Sequence, residues 1–330
     1  MRPLLLSFFV VSHFVAGAQY AVGERQWIDQ LDLTGPLPGD LLSTRSAVFY
    51  SYLLTDDQLD AFHKSMQRTG IDAVAYFELD KLAAGKDITR AFANYFKNRE
   101  IANIITVEKY DSTFRLTAAA INGEETLLTT GQLAWSAKHH IFSEVLKELY
   151  RASATQANKK NLLINDVAEK EIEINPVTGR RNEFYAMDLK VDPLAVPKTG
   201  DEAIDQRLEQ IFAENYPLKY KLTEPGLSER DMRKQGLLYV VCFVYARGVV
   251  VKELLGYDMS KSESALVSVT YPERQEQLKN IPSNTTVYKF YFKHIDSGNV
   301  FLGTKWDADT SWDQALLNQI RGMNAELRLN

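Results

Sequence analysis

Apolar and polar positions follow three different rhythms along this chain. The first is a block: Leu4-Leu5-Leu6-Ser7-Phe8-Phe9-Val10-Val11 follows a single positive charge, Arg2, and leads to Ala16-Gly17-Ala18. A charged start, a short apolar run and small residues at its end mark a secretory signal peptide over 1–18, with cleavage expected between Ala18 and Gln19. The run is shorter than the roughly 20 apolar residues that span a bilayer, and no later stretch is long enough, so no transmembrane span is expected in the mature chain. Residues 19–44, which contain Gly35-Pro36-Leu37-Pro38-Gly39, read as an extended arm.

The second rhythm is helical. Thr55-Asp56-Asp57-Gln58 forms a capping box, and Leu59, Phe62, His63 and Met66 then fall on one face until Gly70 stops the helix. Ile88, Phe92, Tyr95 and Phe96 mark a second helix over 87–97, and a third is expected over 138–152. The third rhythm is that of strands, expected at 46–52, 71–79, 101–109, 114–121 and 126–135, with Asn122-Gly123 as a hairpin signal. Leu162–Asn165 and Glu171–Ile174 are short and strand-like, inside a linker and hairpin section over 158–180. Near the end, Tyr288, Phe290, Phe292 and His294 alternate with Lys289, Tyr291 and Lys293. Asp296-Ser297-Gly298 turns the chain back, and Thr310-Ser311-Trp312-Asp313 opens a helix lined by Trp312, Ala315, Leu316, Ile320 and Met323.

The order of elements repeats. Setting Thr55 against Gly200 keeps one offset through Asp56–Asp201, Leu59–Ile204, Asp60–Asp205 and Met66–Ile211. Arg45–Tyr50 echoes Arg181–Tyr185, and the stretch ending at Trp135 echoes the one ending at Trp306. The expectation is a divergent duplication. The fold class is then α/β (α+β), with two related lobes at 45–157 and 181–330, each a mixed sheet with hairpin strands covered by helices.

Composition narrows the function classes. With 330 residues, 45% hydrophobic and 25% charged, the chain is globular rather than disordered. A formal charge of −5 argues against sequence-independent nucleic-acid binding, which needs a basic footprint. The sole cysteine, Cys242, cannot form an internal disulfide and sits in the apolar run Leu238–Val244, the setting of an inert buried thiol. An exported chain without disulfides fits a bacterial envelope or secreted protein. Gly-x-Ser-x-Gly, His-Glu-x-x-His and Cys-x-x-Cys are missing, and Gly85-Lys86 lacks the rest of a phosphate loop.

Candidate chemistry is sparse. His140 and Glu144, four apart on an expected helix, could reach one metal ion, but no third ligand is visible nearby and solvated side chains are the simpler reading. Trp135 and Trp306 could stack on a ligand, and Arg181 could grip an anion with its guanidinium fork, although core plugs and a solvated turn explain them as well. The Lys289–Tyr291–Lys293 face interleaves charge and aromatic rings, as single-strand nucleic-acid platforms do, but reads here as the solvated side of a half-exposed strand. No cofactor is expected.

One stretch carries a resemblance. Val287 to Trp306, an aromatic strand followed by Asp296, the Gly298 turn and a return strand ending near Trp306, resembles the paired strands of bacterial envelope domains of the curli-secretion lipoprotein, penicillin-binding-protein-activator and TolB amino-terminal type. Residues 87–109 resemble their helix-then-strand step, and the whole chain is similar to secreted proteins of the Bacteroidota. The lipoprotein cysteine of those domains is missing. The resemblance implies a periplasmic or secreted, non-catalytic scaffold that binds an envelope protein partner. Two other classes stay open: a small-ligand binder with its site between the lobes at Trp135, Trp306 and Arg181, and a hydrolase without a recognisable motif. The last requires two carboxylates, or a His–carboxylate pair, to converge in a cleft.

Overall fold

The capping box forms as its spacing demands: Thr55 accepts from the Gln58 backbone N–H, and the Gln58 side chain accepts from Thr55 N. In the computed structural model, which describes residues 30–156, 161–260 and 263–329, this box opens α1 (Asp56–Thr69) and Gly70 closes it in a left-handed conformation. The expected signal peptide over 1–18 and the expected cleavage between Ala18 and Gln19 lie outside the described residues.

The first half continues β1 (Arg45–Tyr50), α1, β2 (Asp72–Glu78), α2 (Lys86–Arg99), β3 (Ile101–Tyr110), β4 (Thr113–Ala120), β5 (Trp135–His139) and α3 (Phe142–Ala154). The second half holds β6 (Arg181–Asn182), β7 (Leu194–Pro197), α4 (Glu202–Asn215), β8 (Tyr220–Thr223), α5 (Glu229–Lys234), β9 (Tyr239–Arg247) and α6 (Gly248–Leu254). It closes with the β10 (Ala265–Thr270) and β11 (Gln277–Pro282) pair, β12 (Thr286–His294), β13 (Val300–Phe301) and α7 (Trp312–Glu326).

The fold is mixed α/β, with sheets covered by helices. One sheet runs β2-β1-β3-β4-β5 and the other β6-β13-β12-β9-β7-β8. In the first, β1 is parallel to β2 and β3, and β3, β4 and β5 are antiparallel neighbours. In the second, β7 is parallel to β8 and β9, and β9, β12 and β13 are antiparallel neighbours. Strand for strand, the order β8-β7-β9-β12-β13 therefore repeats β2-β1-β3-β4-β5. The place of β1 is taken by β7, not by Arg181–Tyr185, whose β6 is an extra edge strand beside β13.

The sheets do not form two separate cores. Ala47, Phe49, Phe77, Ile88, Phe92 and Ile104 from the first half join Val244, Ala246, Val251, Val287 and Tyr291 from the second in one apolar cluster. Helix α2 lies in this shared middle layer, with Phe92 packed edge-on against Phe49 and Phe77 at ring distances of 5.2 and 5.0 Å. Helices α1 and α3 cover the opposite face of the first sheet, and α4 and α7 that of the second.

Four local expectations change. The third helix starts at Phe142, because 135–139 is committed to β5. The expected strand over 126–135 is a loop except for its last residue, and the hairpin between long strands turns at Asp111-Ser112 rather than Asn122-Gly123. Leu162–Asn165 and Glu171–Ile174 belong to no strand; the segment instead runs past the β2 edge, where Glu169 O accepts from Tyr76 N at 2.9 Å. The arm contributes to the core through Leu37, Leu41 and Leu42, and its bridges Asp32–Leu133 and Thr34–Trp135 cover the β5 end.

Candidate functional site

Helix α2 reaches the second sheet with its first turn, and one glycine makes this possible. A Cβ on Gly85 would stand 2.5 Å from the carbonyl oxygen of Phe243 on β9, and its φ of +155° is one that side chains disfavour. The approach is sealed by Tyr245 N–H donating to Ala84 O at 2.7 Å. It delivers Asp87 and Arg90, one helical turn apart, to the buried Lys face of β12.

Four charges close a ring there. Lys293 Nζ donates to Asp87 Oδ1 at 2.8 Å and to Glu229 Oε1, at the start of α5, at 3.0 Å. Arg90 donates to the same Asp87 oxygen and to Glu229 Oε1, the latter at 3.0 Å. Each cation thus touches both carboxylates. The Tyr291 hydroxyl donates to Asp87 Oδ2 at 2.8 Å. Burial opposes ionisation of Asp87, but Lys293, Arg90 and Tyr291 outweigh it and hold the carboxyl below its ordinary range. Glu229 is lowered in the same way, burial being overcome by hydrogen bonds from Arg90 and Lys293. Burial likewise disfavours charge on Lys293, and Asp87 and Glu229 more than restore it, raising the ammonium pKa.

The ring floors a cleft of about 570 Å³ between the halves. Its walls are the Asn94–Tyr95–Asn98 side of α2, the 173–178 segment and the 295–298 turn of the second half. Asn94, Asn98, Asn175, Thr178 and Ser297 offer hydrogen bonds without net charge, and Asp296 at the rim is paired with Arg233 at 2.8 Å.

A second set of ion pairs ties the halves at the far end of β9. Arg247 donates to Asp80 and Glu78 of the first half and to Asn284 Oδ1 at 3.2 Å, while its guanidinium carbon lies 3.8 Å from the Tyr52 ring centre. Burial raises the Glu78 carboxyl even with Arg247 alongside.

The residues singled out from the sequence lie elsewhere. Arg181 and Trp306 meet around Tyr257: the guanidinium carbon is 4.4 Å from its ring centre, and the Trp306 ring stands edge-on at 5.1 Å. Arg181 also donates to Leu255 O at 2.6 Å and to Glu183 at 2.7 Å. Trp135 packs with the first-half core beside α3, so the three do not converge, and none lines the cleft. His140 precedes α3 and bonds Thr113 Oγ1 at 3.2 Å, while Glu144 pairs with Lys147 at 2.6 Å. Among the described residues no group of three or more His, Cys, Asp or Glu is placed to hold a metal ion. No helix among them is long and apolar enough to cross a membrane.

The Lys289–Tyr291–Lys293 face is not solvated: as whole residues these are 0, 2 and 5% exposed. A signal for this was present. Their partner strand β9 carries apolar residues on both faces, which is the pattern of a strand covered on both sides. Comparisons of the chain with protein-family models, with curated proteins and with solved structures find no match.

Proposed function

We propose that this chain is a non-catalytic interaction protein of the bacterial cell envelope, exported through its leader, in which two related α/β lobes present a cleft to a polar segment of an envelope partner. One observation carries the reading: the ionisable groups on the cleft floor neutralise one another. Two carboxylates, Asp87 and Glu229, do converge there, as a hydrolase would need. Both are held ionised by the same two cations, whereas a general acid of that kind needs a raised pKa. What the walls offer a ligand is hydrogen-bonding capacity from asparagine, serine and threonine, with the exposed carboxylate of Glu173 beside it, which suits recognition of backbone or amide groups. The matching strand order of the two sheets supports the duplication, and the hairpin resemblance supports the envelope setting.

A photo-crosslinking residue at Asn94, compared with one at exposed Lys221, tests this in the native cells. One dominant envelope protein crosslinked from position 94 and not from 221 is expected. Equal adducts from both positions, or none from 94, would overturn the proposal. Turnover on generic ester, glycoside, phosphate or peptide substrates that disappears in Asp87→Asn would overturn the non-catalytic part.

A small-ligand site in the same cleft is the second reading. Its volume lies inside the roughly 300–1,000 Å³ of small-molecule sites. A metabolite extract that shifts the melting of the wild type and not of Asn94→Trp favours it over a protein partner.

A further inference from the structure

Independently of the cleft, a second cavity of about 210 Å³ lies under α7, between that helix and the loop after β13. Gly322 of α7 leaves the space. A Cβ at that position would stand 3.4 Å from Tyr185 Oη, 3.8 Å from Tyr271 Oη and 3.9 Å from Asp307 Oδ2. Three polar atoms therefore surround one point inside the protein, each carried by a side chain no more than 6% exposed.

Their hydrogen-bond commitments define what fits. Tyr185 Oη spends its proton on Gln319 O at 3.1 Å, so toward the cavity its oxygen can only accept. Asp307 Oδ1 is ion-paired with Lys289 Nζ at 2.6 Å, and Oδ2 is turned to the cavity. Lys289 Nζ donates to Leu302 O at 2.9 Å and Gln319 Oε1 at 2.7 Å, so its ammonium is engaged away from the space. Glu326 at the edge accepts from Tyr185 N at 2.7 Å and adds a second carboxylate. Lys305 at the mouth is paired with Glu276. Two carboxylates against the single Lys289 leave the interior one negative charge in excess; Tyr185 Oη and Asp307 Oδ2 can only accept, and the Tyr271 hydroxyl oxygen can accept as well. The group that brings three donors, no acceptor and one positive charge is a primary ammonium.

We infer that this cavity binds the ammonium head of a small primary amine, held by Asp307 Oδ2, Tyr185 Oη and Tyr271 Oη, with Glu326 completing the charge balance. The same head occurs on a free alkylamine and on a lysine side chain. Calorimetric titration of the full processed chain with n-butylammonium, with 1-butanol and tetramethylammonium as controls, tests the inference. Saturable binding of butylammonium at least tenfold tighter than either control is expected. Gly322→Ala is the decisive variant: its methyl meets only ordinary contacts at 3.4 Å or more, so the protein should fold with an unchanged melting point while losing at least tenfold in affinity. Tyr271→Phe should weaken binding without abolishing it. Absent binding, equal binding of 1-butanol, or undiminished binding by Gly322→Ala would each overturn the inference. A parallel titration with an α-amidated, Nα-acetylated lysine separates the sources: affinity equal to butylammonium assigns the site to protein lysines, weaker affinity to free amines.

Discussion

Replacing Lys293 by Met asks how far the charge ring holds the two halves together. The side chain is 7% exposed and its ammonium touches Asp87, 5% exposed, and Glu229, 19% exposed. Deleting one member of a buried pair costs about 3–5 kcal/mol, because the remaining charge stays buried without its partner. Here Arg90 still contacts both carboxylates and is itself 24% exposed, which argues for a loss at or just below the bottom of that range, about 2–3 kcal/mol. In urea this corresponds to a midpoint about 1 M lower. The pH dependence separates charge from packing. In the wild type the folded pKa of Asp87 is depressed, so its contribution is present above the unfolded value near 3.9 and is lost as pH falls through the folded pKa. Lys293 is raised, so its contribution is complete below about 10.4 and is lost as pH rises through its folded pKa. Without Lys293 the burial that opposes Asp87 ionisation has less to offset it, and the variant no longer gains from ionising Asp87. The difference between the two proteins should therefore be full at pH 7 and shrink below about pH 4. Urea unfolding followed by tryptophan fluorescence at pH 7 and pH 3.5 measures both. A loss under about 1 kcal/mol at pH 7, or an equal loss at the two pH values, refutes a ring that acts through charge.

Other expectations follow from the same contacts. Gly85→Ala forces a methyl into the Phe243 carbonyl at 2.5 Å and should destabilise by about 2 kcal/mol or more, read by denaturant midpoint. Lys289→Met strands Asp307, which is 3% exposed, and should cost about 3–5 kcal/mol; adding Asp307→Leu should recover much of that loss in the double variant. Burial, and then the Asp87 charge, push the Cys242 thiol well above its ordinary pKa, so a thiol reagent at pH 8 should label the native protein far more slowly than the urea-unfolded chain.

Much of this architecture was legible in local pattern. The Thr55–Gln58 box, the faces of α1, α2 and α7 and the aromatic hairpin follow from short-range hydrogen bonding and from side-chain periods of 3.6 and 2, which every segment carries within itself. Strand membership was less secure where pairing decides it: residues 126–134 look like a strand, but they serve as the loop that brings Trp135 to β4. The candidate site was not legible, for a related reason. Alternation along β12 separates two faces but does not say whether the polar one meets water or another layer. Lys289 and Lys293 read as solvated because their partners Asp307, Asp87 and Glu229 lie as far as 206 positions away in the chain. Only the docking of α2 onto the second sheet, permitted by Gly85, brings Asp87 to Lys293 and buries it, whereas Lys289 is enclosed by Leu302, Asp307 and Gln319 of its own half. The sequence by itself determined the segments and their amphipathic faces, because those depend on neighbours a few residues away. The tertiary structure alone decided the charge ring, the cleft above it and the Asp307 cavity, because a buried charge is defined by partners that only folding brings within 3 Å.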